Sequence, residues 1–273
     1  DVAFMADNGD VVVITGASGG IGAALARRLG RDGKRLVLAA RRESQLRSVA
    51  SEAEALGAKG TLIVPTDVTR REAVMQLRDA AVKGFGRIDV WVNNAGRGIT
   101  RPVLELTDAD LDDMITINLK SALYGMQAAI PPFIERGEGH LINVSTFLGR
   151  VPIATYRSAY SASKAALNSL TANLRMDLHA SHPNIHVSLV MPGVVATDFA
   201  PNAKTPEAMR PDLPGRSSAG PVQTADEVAD RISDIIRNPI AEIYTNPASA
   251  QIVRDYYSDV AAFEDRMAQR RHT

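Results

Sequence analysis

Short runs of β-branched and aliphatic residues recur along the whole chain, at 10–15, 35–40, 61–64, 88–92, 140–144, 186–190 and 242–244, and predict strands. Between them lie helical stretches at 21–31, 44–56, 71–83, 108–128, 158–180 and 225–237, and the tail from Ala248 reads as a further helix. Thr69-x-x-Glu72, Thr107-x-x-Asp110 and Thr224-x-x-Glu227 predict where three of the helices open. In such a box the threonine oxygen and the acid three residues on each accept a backbone N–H that the helix leaves orphaned. Strand and helix alternating throughout imply an α/β fold, a parallel sheet with helices on both faces. No repeat, low-complexity tract or linker divides the 273 residues, so a single domain spanning 1–273 is expected. The irregular stretch 198–221, rich in Pro, Ser, Asn and charge, reads as a lid over a substrate.

Composition narrows the classes. A chain that is 45% hydrophobic has enough apolar residues for a large core. Lys plus Arg equals Asp plus Glu at 31 each, so nothing global points to nucleic acid or an anionic membrane as partner. The absence of cysteine excludes disulfides, thiolate metal sites and cysteine nucleophiles. His140, His179, His182 and His186 form no ligand pattern with acidic partners, so no metal is expected. No apolar run approaches the roughly 20 residues of a membrane span. No secretory signal is visible, and a cytoplasmic protein is the expectation.

Two patterns carry chemistry. Tyr160 and Lys164, four apart on a predicted helix, lie one turn from each other on one face. An ammonium beside a phenol favours the phenolate, so the tyrosine becomes a candidate acid/base. Bringing a phenol from about 10 to about 7 takes roughly 4 kcal/mol, at about 1.36 per pH unit. A lysine alone rarely supplies that, and a cationic nicotinamide would add to it. The second pattern is Thr15-Gly-Ala-Ser-Gly-Gly-Ile-Gly22, between the first strand and the first helix. Glycines at 16, 20 and 22 allow a tight turn, close approach of a pyrophosphate and packing of helix on strand, with the phosphates at the helix N-terminus.

With these two, Asn93-Asn-Ala-Gly96, Asn118 and Pro192-Gly-Val-Val-Ala-Thr197 complete a set that resembles the short-chain dehydrogenase/reductase family in order and spacing, over about residues 9–200. The resemblance implies a single Rossmann-type domain with a doubly wound sheet of seven parallel strands. It implies a homodimer or homotetramer built through two long helices, and NAD(P)-dependent chemistry on an alcohol or carbonyl substrate. By the same resemblance Tyr160 exchanges a proton with the substrate oxygen, and Lys164 lowers the Tyr160 pKa and binds the nicotinamide ribose. Asn118 holds a water that relays protons to the lysine, unless it is a buried asparagine bonded to backbone. Gly16, Ser18, Gly20, Ile21 and Gly22 form the phosphate turn. Asp67 and Val68 contact adenine, though Asp67 equally suits a helix cap. Asn94, Ala95 and Gly96 close over the adenine ribose or stabilise the sheet. Pro192, Gly193, Val195 and Thr197 hold the carboxamide and pyrophosphate side.

The substrate-orienting hydroxyl is less plain. Relatives read Ser-Ser before x-x-Gly, where this chain reads Ser145-Thr146 before Phe-Leu-Gly149. The resemblance gives the role to the second of the pair, three before the glycine, so Thr146 is preferred over Ser145; neighbouring side chains leaving a strand point to opposite sides, so one of them faces the nicotinamide. Cofactor choice rests on Leu38-Ala-Ala-Arg-Arg42, where Ala40 replaces the carboxylate that a free ribose hydroxyl needs. Arg41 follows with a guanidinium fork suited to a 2′-phosphate, which favours NADP over NAD. Against it, Gly19 stands where many NADP-preferring relatives carry a basic residue, and Arg41 and Arg42 read alternatively as surface charge. The resulting expectation is an NADP-dependent oxidoreductase of secondary alcohols and ketones. The alternatives are a carbon–carbon double-bond reductase and a non-catalytic NAD(P)-sensing protein. Loops 97–106, 147–157 and 198–221 are expected to set the substrate.

Overall fold

A computed structural model describes residues 10–197 and 221–269; the expected lid lies outside the described residues except at its last position. Seven strands form one parallel sheet: β1 (Val11–Thr15), β2 (Arg35–Ala40), β3 (Gly60–Pro65), β4 (Val90–Asn93), β5 (Gly139–Val144), β6 (Ile185–Met191) and β9 (Glu242–Tyr244). Their order is β3-β2-β1-β4-β5-β6-β9. The sheet is the Rossmann-type arrangement expected from the sequence. Its order reverses between β1 and β4, and in such sheets the ligand crevice opens at the carboxyl ends of those two strands.

Strand periodicity sorts the core into two layers. Val12, Ile14, Leu36, Leu38, Val90 and Val92 face α1 (Gly20–Arg31), α2 (Glu43–Ala55) and α7 (Ala225–Arg237). Val11, Val13, Val37, Trp91 and Leu141 face α3 (Arg71–Phe85), α5 (Ser121–Arg136) and α6 (Ser158–His179). Alternate residues of one strand thus pack on opposite faces, which is why the strands read as continuously apolar. Each such buried Val, Leu or Ile contributes about 1.5–3 kcal/mol.

Three expectations change. The helix read at 108–128 is α4 (Asp108–Ile115), a π-helical turn over Thr116–Lys120, and then α5, which runs to Arg136 through Pro131 and Pro132. Burial of Ile130 and Phe133 in the sheet layer, and the Arg136 bond to the Ile88 carbonyl, outweigh the two missing N–H groups. The boxes at Thr107 and Thr224 form, but α3 opens at Arg71 with Arg70 before it. Thr69 is diverted: its amide and hydroxyl both donate to Asp67 Oδ1, at 3.0 and 2.7 Å. The tail is two helices, α8 (Pro247–Ser258) and α9 (Val260–Gln269), parted at Asp259, whose backbone is extended. A pair that the pattern does not announce, β7 (Val195–Ala196) and β8 (Gln223–Thr224), forms a separate parallel ribbon. Among the described residues no helix is long and apolar enough to cross a membrane.

Candidate active site

The crevice is built where the ends of β1 and β4 meet. Thr15 Oγ1 donates to the Val92 carbonyl and accepts the amides of Asn94 and Ala95, at 3.0 and 3.1 Å. Asn94 Nδ2 donates to the Thr15 carbonyl at 2.9 Å. The segment after β4 is thereby pressed against the glycine turn. A Cβ on Gly16, whose φ is +69°, would stand 2.9 Å from Ala95 Cα, and one on Gly22 would stand 2.4 Å from the Gly16 carbonyl oxygen. Both positions therefore require glycine. Gly20 lies against Thr197, so the strip Pro192–Thr197 walls the same turn. Gly19 caps α1 with no side-chain bond and no acid in the first turn, leaving the positive end of the helix for an anion. These residues fit the pyrophosphate of a nicotinamide dinucleotide.

At the end of β2, Ala40 is buried and Arg41, the next residue, is exposed. Burial favours the neutral form of Asp67, but the bonds from Thr69 and the charge of Arg41 hold its carboxyl below the usual range. Asp67 thus closes a local turn and caps no helix. Arg42 reaches back to the glycine turn: its Nη2 lies 3.2 Å from Ser18 Oγ. A side chain at Gly19 would meet that same Nη2, also at 3.2 Å. The missing basic residue of the turn is thus replaced in space by the guanidinium of Arg42, which precedes α2. The signal available in the sequence was the coincidence of a glycine at 19 with a second arginine at 42.

At the nicotinamide end, α6 carries Tyr160 and Lys164, both buried, on the face toward β5. Lys164 Nζ donates to the Val144 carbonyl at 2.9 Å, and burial pushes its pKa down to about 8. The expected depression of the phenol is reversed here. Burial pushes Tyr160 up to about 12, and the charge of Arg157 and a bond with the Thr146 side chain only partly offset it. Tyr160 is therefore a neutral donor at pH 7. Thr146 turns toward Tyr160, while Ser145 turns inward and donates to Asn168 Oδ1 at 2.5 Å. The π turn sets Asn118 facing the segment after β4, a use that such single wide turns often serve. Its Oδ1 accepts the Arg97 amide, and its Nδ2 donates to the Arg97 carbonyl and lies 3.2 Å from Ser163 Oγ. A Cβ on Gly96 would stand 2.9 Å from Asn118 Oδ1 and 3.6 Å from Lys164 Nζ, so these three converge. Among the described residues no group of three or more metal-ligating side chains is gathered.

A family model described as short chain dehydrogenase matches residues 10–208. An uncharacterized oxidoreductase of Staphylococcus aureus strain N315 is 36% identical over 187 residues, 68% of this chain and 78% of that one. A short chain dehydrogenase/reductase from Burkholderia phymatum, solved in complex with NAD, superposes with a TM-score of 0.80 at 28% identity, over 93% of this chain and 95% of that one. A metagenomic short-chain oxidoreductase in complex with NADP gives a TM-score of 0.69 at 33% identity, over 86% and 95% of the two chains.

Proposed function

The chain belongs to the short-chain dehydrogenase family, and on that footing we propose that it is an NADP(H)-dependent oxidoreductase interconverting a secondary alcohol and a ketone. The observations that carry the reading are the bond between Tyr160 and the Thr146 side chain, and the approach of Lys164 Nζ and Asn118 Oδ1 to Gly96 one helical turn on. A bound dinucleotide supplies or accepts hydride at nicotinamide C4. Tyr160, neutral at pH 7, gives its phenolic proton to the substrate oxygen in reduction; in oxidation it first releases that proton through Lys164 and water, and its phenolate then takes the proton of the alcohol. The Thr146 hydroxyl, both donor and acceptor, orients that oxygen beside the phenol. Lys164 holds the nicotinamide ribose and, with Asn118 and a water, returns a proton to Tyr160. Gly16, Ser18, Gly20, Ile21 and Gly22 hold the pyrophosphate. Asp67, Val68, Asn94, Ala95 and Gly96 border the adenosine. Pro192, Gly193, Val195 and Thr197 hold the carboxamide side.

Preference for NADP is supported by the acid missing at Ala40 and by two guanidinium groups, Arg41 and Arg42, directly after β2, the second of them 3.2 Å from Ser18 Oγ of the glycine turn. A homodimer or homotetramer is supported by exposed apolar side chains on α5 and α6, Ile134 and Met176. NADPH consumption across a panel of ketones and unsaturated carbonyls tests the chemistry. Ketone reduction is expected, with Tyr160→Phe lowering kcat by about 10²–10⁴ while NADPH affinity is kept. Undiminished turnover by Tyr160→Phe removes the assignment. NADPH is expected to bind more tightly than NADH, and Arg41→Ala with Arg42→Ala should erase about ten- to hundredfold of the difference. Equal affinity of the unaltered protein for both cofactors refutes the preference.

A further inference from the structure

Three arginines surround the approach to Tyr160. Arg97 is ion-paired to Asp113 of α4. Arg101 Nε lies 3.1 Å from Asp110, buried in the same helix. Arg157 differs from both. It is half-buried at the N-cap of α6, and among the described residues it has no carboxylate partner. Nη1 lies 3.5 Å from the Ile99 carbonyl, and the guanidinium carbon is 5.8 Å from the Tyr156 ring centroid. Ile99 shares a small buried cluster with Met114, Ala159 and Tyr160, so the segment that Arg157 touches packs into the surroundings of the phenol.

The position is directed at the chemistry. Arg157 precedes Tyr160 by three residues, a rise of roughly 4.5 Å along the helix. Helical side chains lean toward the N-terminus, which tilts the phenol toward the turn that Arg157 opens. A guanidinium presents five N–H donors in one plane, and a single long contact to a carbonyl leaves most of that fork unused. Withdrawing such a cation from water without an opposing charge is unfavourable. Burial accordingly lowers its pKa, although it stays charged at neutral pH. At Arg97 and Arg101 that cost is offset by an aspartate; at Arg157 the offset is left to whatever enters.

We propose that Arg157 receives a carboxylate on the substrate, so that the ketones reduced are oxo acids and the alcohols oxidised are hydroxy acids. A monoanion suits it better than a phosphate, because one unopposed positive charge faces the mouth and the two neighbouring arginines are already neutralised. Fork and carboxylate are both planar and meet through two parallel bonds. In the reduction, the carbonyl carbon gains a hydride from bound NADPH and the carbonyl π pair moves onto oxygen. Oxygen gains the Tyr160 proton, NADP⁺ and the hydroxy acid leave, and Tyr160 recovers a proton from solvent. The carboxylate is unchanged throughout.

The proposal rests on the hydride-transfer reading, and two measurements separate their failures. The first compares turnover of levulinate with that of methyl levulinate, and of pyruvate with methyl pyruvate, in unaltered protein, Arg157→Gln and Arg157→Lys. The acids are expected to exceed their esters in kcat/KM by about ten- to hundredfold, with Arg157→Gln erasing the preference through KM and Arg157→Lys restoring part of it. Acids and esters used equally by the unaltered protein, or a preference that survives in Arg157→Gln, overturns it. The second measurement needs no turnover: calorimetric titration of pentanoate, against pentanamide, into the NADP-loaded protein and both variants. Pentanoate binding that Arg157→Gln abolishes upholds the carboxylate site even if no carbonyl is reduced. Reduction of neutral ketones without any pentanoate binding upholds the hydride chemistry and removes the carboxylate site.

Discussion

Ser145 and Thr146 carry nearly the same hydroxyl and face opposite ways, so their loss should register in different measurements. Ser145 holds Asn168, whose amide nitrogen is already buried without a partner. Ser145→Ala is expected to cost about 1–3 kcal/mol in urea unfolding and to leave kcat close to its original value. Thr146→Val keeps the shape and should instead lower kcat by at least tenfold at little cost in stability; the opposite ranking would hand the orienting role to Ser145. His140 is a residue whose ionisation folding opposes. Ser188 gives its hydroxyl proton to the Ile240 carbonyl, so His140 Nε2 must donate to Ser188 Oγ, and the buried Nδ1 stays bare. Burial, then the nearby His186, push its pKa from 6.5 down to about 3. The unfolded chain therefore binds one proton more between those values. Stability is complete above pH 6.5, falls by about 1.4 kcal/mol per unit as pH drops, and levels off near 3. Urea midpoints across that window should lose one proton's slope in His140→Gln. At this scale strand alternation made it legible that Ser145 and Thr146 turn opposite ways, while the family pattern before Gly149 supplied the order of preference. The sequence could not find Arg42 or Arg157, because the partners that give each its meaning lie 24 and 58 residues away.

Elements were legible wherever one physical cause acted alone. The seven sheet strands follow from β-branched runs buried on both faces. The π turn at Thr116–Lys120 did not show, because Met114, Ile115, Ile117 and Leu119 keep a helical apolar pattern straight through it. Only the tertiary demand that Asn118 reach Arg97 and Ser163 distinguishes that turn. Pro131 and Pro132 misled in the other direction, since packing of Phe133 carries the helix past them. The glycine turn was fully legible, and its third glycine yields a prediction about the junction of β1 and α1. A methyl at Gly22 would collide with fixed backbone, the Gly16 carbonyl, and with Asn94 Nδ2 at 2.7 Å. Gly22→Ala should then weaken NADPH binding by more than tenfold and cost about 1–3 kcal/mol of stability, from overpacking. Fluorescence titration and thermal unfolding measure the two; unchanged values in both would mean that the turn tolerates a side chain.

For the molecule as a whole, the seven parallel strands and the helix layers on both faces followed from alternation and the family resemblance, while the closing of the C-terminal end did not. Helices α8 and α9 fold back so that Val253 and Phe263 bury Val151, five residues beyond Thr146. Tyr257 adds a bond to the Arg150 carbonyl, and Arg150 pairs with Glu242 on the edge strand β9. Phe263→Ala should cost about 3 kcal/mol, roughly 6–12 °C in Tm for a domain of this size. If instead Tm holds, the two helices contribute nothing to the cohesion of the domain. The ribbon of β7 and β8 has a different consequence. Val195 pairs with Gln223 and Ala196 with Thr224, so two stretches distant in sequence run side by side, about 4.8 Å apart. Thr197, the next residue, lies against Gly20 of the glycine turn, and Thr224 caps α7. The ribbon is therefore a clasp: it fastens the wall of the turn to the opening of a helix on the sheet's face, and whatever loosens one end is felt at the other.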